Sequence, residues 1–85
     1  MKNKILVEVK VPEIDETYSV YLPINKKIGN VVILLNKAIS EMSNGNFKLS
    51  NFNVLYNATT GIEYLVDVLV SETDIRTGSK LILLS

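Results

Sequence analysis

From Lys4 to Val11 the chain alternates. Ile5, Val7, Val9 and Val11 fall on one side of an extended backbone, and Lys4, Glu8 and Lys10 fall on the other with Leu6 among them. Period two predicts a half-buried strand. Pro12 cannot donate to a ladder and ends it, and Pro12–Glu16 reads as a polar turn. Alternation resumes over Thr17–Leu22, with Tyr18, Val20 and Leu22 on one face and Thr17, Ser19 and Tyr21 on the other. Two such strands across a short turn predict an antiparallel hairpin, which Pro23 closes.

The period then changes. Ile28, Val31, Val32, Leu35, Ile39 and Met42 recur at three and four, which predicts a helix over 28–43 with one apolar stripe. Asn25 is the cap candidate at its start. Ser43-Asn44-Gly45-Asn46 offers residues that accept positive φ at its end. Gly29 and the β-branched Val31, Val32 and Ile33 are weak helix formers, so packing must hold this helix more than propensity does.

Beyond it, 52–57 reads as a third strand, Ala58–Gly61 as a turn and Ile62–Tyr64 as a short return strand. Leu65–Val70 fits a strand or irregular chain. Ser71 with Asp74 three residues on suits a capped helical turn, Thr77-Gly78 a tight turn, and Ser79–Leu84 the last strand. One helix must bury its stripe on one face of a small sheet, giving an α+β domain spanning 1–85. The first and last strands are expected to pair in parallel at the centre of a four- or five-stranded mixed sheet, which would account for the apolar run Leu81–Leu84.

Composition narrows the function. The chain has 85 residues, 47% of them apolar, and no His, Cys or Trp. This length fits one domain with a thin core that covers about 60% of the unfolded surface. Without Cys there is no disulfide, thiolate zinc site or redox motif; without His there is no imidazole base or common transition-metal ligand. Nine basic and nine acidic residues cancel, and neither arm nor tail concentrates one sign, which argues against an electrostatic nucleic-acid binder. The longest apolar run, Val31–Leu35, is too short to span a membrane, and no secretory leader is recognisable, so the expected location is the cytoplasm. The close carboxylates, Asp15-Glu16 and Glu72/Asp74, fall in predicted turns, where solvated charge is the expectation rather than a catalytic pair. No cofactor, no metal and no enzymatic activity are expected.

The order of elements, with Ile5, Val7, the stretch Leu22-Pro23…Ile28…Val31…Leu35 and above all Ser71–Leu83 (a polar cap, an apolar Ile75, a Gly turn, an alternating strand), resembles the ubiquitin-like β-grasp family. The resemblance covers nearly the whole chain and implies a mixed sheet packed on the helix at 28–43. Conjugated members and sulfur carriers end in a flexible Gly-Gly tail. Here no glycine follows Gly78, so conjugation is not expected. Length, the Tyr18–Pro23 strand and the end after Leu84 make it most similar to the YukD-type ubiquitin-like proteins that accompany type VII secretion in Gram-positive bacteria. That resemblance implies a cytoplasmic interaction module whose partner is a protein, a membrane-associated secretion component, with no nucleic acid and no membrane insertion. A tail-less sulfur-carrier or conjugation relative, and a homodimer formed through the helix back, are the alternatives.

Four residues are candidate contacts. Leu6 and Tyr21 fall on outward strand positions, Tyr56 adjoins the inward Leu55, and Ile33 flanks the helix stripe together with Leu34. Exposed Leu and Tyr would form an amphipathic surface of the kind enriched in interface cores. Cross-strand pairing, and for Ile33 simple surface exposure, are the alternatives.

Overall fold

The computed structural model describes residues 3–47 and 53–84. Strands β1 (Lys4–Val11) and β2 (Glu16–Pro23) form the expected hairpin, helix α1 spans Ile28–Met42, and β3 (Val54–Asn57) and β4 (Lys80–Leu84) complete a four-stranded sheet in the order β2-β1-β4-β3. β1 and β4 are the central strands and pair in parallel, Glu8 opposite Lys80 and Lys10 opposite Ile82. The other two pairings are antiparallel. Residue 52, the expected start of β3, lies outside the described residues.

Burial follows the alternation. Val7, Val9 and Val11 from β1, Leu22 from β2, Leu55 from β3 and Leu81 and Leu83 from β4 meet Ile28, Val31, Val32, Leu35 and Ile39 of α1 in one core. Phe47, Tyr64, Val70 and Ile75 close its ends. Met42, expected on the buried stripe, is instead exposed at the last position of the helix.

Three local expectations are corrected. Asn25 does not cap α1; the helix begins after Lys27 without a side-chain cap. The first amides are satisfied from across the chain, Ile28 N–H by the Val68 carbonyl at 2.8 Å and Gly29 N–H by the Val66 carbonyl at 3.0 Å. A distant segment thus does the work of a local cap. Ile62–Tyr64 is not a full strand: it meets β3 at a single bridge, Tyr56 with Glu63, flanked by hydrogen bonds from Asn57 N–H to Ile62 and from Tyr64 N–H to Leu55. The later turn is a 3-10 segment at Val70–Glu72, and the amide of Leu69, which precedes it as N-cap, donates to the Glu72 carboxylate at 3.2 Å, so Glu72 rather than the Ser71/Asp74 pair organises it.

The end of α1 is as expected. Asn44 and Gly45 take positive φ, and Gly45 N–H donates back to the Ser40 carbonyl at 2.9 Å.

Candidate functional site

The solvent face of the sheet is built from alternate residues of all four strands. In β1 these are Lys4, Leu6, Glu8 and Lys10, opposite Pro23, Tyr21, Ser19 and Thr17 of β2. In β4 they are Lys80, Ile82 and Leu84, and in β3 Tyr56 and Val54, opposite Ile82 and Leu84. The helix covers the other face only.

This register separates the candidates. Leu6 and Tyr21 are direct cross-strand partners, 38% and 57% exposed. Tyr56, partly buried, stands beside Ile82. Between the two lies a polar row, Ser19, Glu8 and Lys80. Ile33 is 63% exposed on α1, on the opposite side of the molecule. The four residues therefore occupy three places.

A further apolar area lies on the sheet face. Val54, Tyr56, Ile82 and Leu84 form a two-by-two block on β3 and β4, with Leu84 exposed and the other three half-buried. The apolar run Leu81–Leu84 fits the central place of β4, yet only Leu81 and Leu83 are buried in the core. The available signal was the count of helices: one helix covers one face, so the outward residues of a central strand stay open to solvent.

A second exposed area joins the helix back to the chain after β3. Val66 packs on Gly29, where an added Cβ would come within 3.3 Å of the Val66 side chain and carbonyl. Ile33 lies one turn along the same helix face. Leu65 and Val66 are 68% and 57% exposed, with Ile62 and Leu34 also open.

The polar clusters are structural. Tyr64 Oη donates to Asp74 Oδ1 at 2.6 Å, and Asn57 Nδ2 donates to Asp74 Oδ2 at 3.2 Å. Asn57 Oδ1 accepts from the amides of Thr59 and Thr60. Burial first, then the bond to Asp74, pushes the Tyr64 hydroxyl up to about 12. The Asp74 carboxylate, expected to be merely solvated, is committed to tying the turn after β3 to the chain before β4. Among the described residues no group of acidic side chains is arranged to hold a metal ion. No helix among them is long and apolar enough to cross a membrane.

No protein-family model matches the sequence, and no curated protein matches it significantly. Solved structures do match. The ubiquitin-like domain of the Mycobacterium tuberculosis type VII secretion protein EccD1 aligns with a TM-score of 0.73 at 12% identity, over 96% of this chain and 98% of that one. A chain of the ESX-5 inner-membrane complex aligns at 0.70 and 16% identity, over 95% of this chain but 20% of the other. A chain of the toluene 4-monooxygenase HD complex aligns at 0.72 and 8% identity, over 95% and 96%. At these identities the likeness is one of architecture, shared by proteins of different activity. A mixed four-stranded sheet with parallel central strands, packed on one helix, is the ubiquitin-like β-grasp fold, and this chain has it.

Proposed function

We propose that the chain is a non-conjugated protein-interaction module, a cytoplasmic accessory of a type VII secretion system that docks on a membrane-associated component. The observation that carries a contact role is the Val54, Tyr56, Ile82 and Leu84 block, an apolar surface on the uncovered sheet face. Apolar area with one aromatic and a charged surround, here Lys10 and Lys80, has the make-up of an interface core with its rim. The architectural likeness to the EccD1 domain and to a chain of the ESX-5 inner-membrane complex supports the secretion setting. The module acts by binding, and Leu6 and Tyr21 extend the surface past the Glu8 and Lys80 row.

The test is affinity purification of the tagged full chain from detergent-solubilised cells, with a parallel incubation with a ubiquitin-type activating enzyme and ATP. Components of a type VII inner-membrane complex are expected with the wild type and lost with Tyr56→Ala/Leu84→Ser. A covalent adenylate or thioester adduct by intact mass, or an unchanged catch with the double variant, overturns the reading.

A further inference from the structure

The two edges of the sheet are treated differently. β3 is four residues long, and the Ile62–Tyr64 segment runs beside it, accepting from Asn57 N–H and donating to the Leu55 carbonyl. β2 is eight residues long, pairs among the described residues only with β1, and keeps an unbroken register with no bulge. An open edge strand is a template for another strand unless charge, Pro or a bulge blocks it. Between Thr17 and Leu22 β2 has none of these, and its residues are Thr, Tyr, Ser, Val, Tyr and Leu, all suited to a strand.

The ladder fixes which groups face outward. Ile24 N–H donates to the Asn3 carbonyl at 2.9 Å, so that pair and those at every second position along the hairpin bond β2 to β1. The pattern is confirmed on the far side of β1, where the Leu6 carbonyl and Glu8 N–H bond instead to Gly78 and Ser79 beside β4. In β2 the N–H and C=O groups of Thr17, Ser19 and Tyr21 therefore point away from the sheet.

We propose that the β2 edge is a homodimer interface, two copies pairing antiparallel about a two-fold axis at Ser19 into one continuous eight-stranded sheet. In this register Thr17 of one copy meets Tyr21 of the second, and Ser19 meets Ser19. Every outward N–H then finds an outward carbonyl. On the helix side Tyr18 meets Val20, both half-exposed in the single chain. Such aromatic and β-branched cross-strand pairs are favourable. Charge selects a second copy as the occupant. One end of β2 carries Asp15 and Glu16 against a single cation, Lys10 opposite Thr17, whereas the other end has Lys4 opposite Pro23 and Lys26 and Lys27 just beyond, all exposed. Antiparallel pairing sets the acidic end of each copy against the basic end of the other. The zero net charge adds no long-range repulsion.

Sedimentation of the full chain from micromolar to millimolar concentration tests this, with amide hydrogen exchange on the same samples. A dimer is expected, with exchange at Thr17, Ser19 and Tyr21 slowing as concentration rises. Ser19→Lys places two cations on the axis at an exposed position and is expected to weaken association by roughly tenfold or more, with unchanged circular dichroism. Raising salt from low to high ionic strength is expected to weaken it severalfold. A chain that stays monomeric throughout overturns the proposal. So does a dimer that tolerates Ser19→Lys, or one that is lost with Ile33→Lys instead, which would place the contact on the helix back.

Discussion

Tyr64 shows how one residue can join segments that the sequence leaves apart. Its ring closes one end of the core, and its hydroxyl reaches Asp74 ten positions on at 2.6 Å. Burial favours the neutral phenol, and so does donation to a carboxylate, so its proton is held up to about 12 against 10.0 for a free tyrosine. The sign follows directly. Between these values the unfolded chain has released the proton and the folded chain has not. The stabilisation is therefore complete below pH 10 and is lost as pH rises toward 12. Tyr64→Phe is expected to lower unfolding free energy by about 1–2 kcal/mol at pH 7, the worth of a partly buried hydrogen bond to a charged acceptor. The variant should also show a shallower alkaline loss than the wild type. Urea unfolding at pH 7, 10 and 11 measures both. The alternation in the sequence indicates the inward Leu55; nothing in it pairs Tyr64 with Asp74, because that contact needs the turn at Val70–Glu72 to bring them together.

At the scale of elements, α1 carries the clearest contrast. Its buried face was legible from spacing alone: Ile28, Val31, Val32, Leu35 and Ile39 are all in the core. Successive residues turn by about 100° around the helix, so Leu35 on the stripe is 2% exposed while Leu34, just off it, is 51% exposed. Leu35→Ala is expected to cost about 2–5 kcal/mol through lost burial and a residual cavity. Leu34→Ala should stay within about 0.5 kcal/mol, as an exposed site with no special partner. Chemical unfolding of the two variants checks the difference; equal losses would mean that Leu34 is covered in solution. The ends of α1 were less legible. Its C-terminus follows local rules, since Asn44 and Gly45 supply the positive φ that a helix end needs. Its N-terminus does not, because the carbonyls of Val66 and Val68 arrive from about forty residues away, and Gly29 permits the close approach of Val66. The sheet face divides in the same way. Outward positions on β1 and β2 follow from alternation, whereas the Val54, Tyr56, Ile82 and Leu84 block exists only because β3 lands beside β4 in one register.

At the scale of the molecule there is one core, and every main element feeds it. β1 and β4, at opposite ends of the chain, meet at its centre in parallel. No part can bury its apolar face alone, which makes unfolding cooperative. Leu81→Ala, at the middle of that pairing and 1% exposed, is expected to lower the melting temperature by at least about 10 °C. Transitions followed by circular dichroism and by tyrosine fluorescence should still coincide. Separate transitions would show that the hairpin or the helix holds structure independently.

Taken by itself, the sequence determined what short-range periodicity can encode. It contains the β1–β2 hairpin, the helix and its buried stripe, the α+β class, and the parallel meeting of first and last strands. It also determined the missing chemistry, because side chains that are absent cannot be supplied by folding. The tertiary structure decided which residues share a surface. It separated Tyr56 from Leu6 and Tyr21, placed Ile33 on the helix and away from the sheet face, and turned Asp74 from a surface charge into a tie between two turns. Among the described residues it also left one sheet edge covered and the other open. Periodicity fixes the direction of a side chain relative to its own strand or helix. Register between distant strands, set by packing of the whole core, fixes its neighbours.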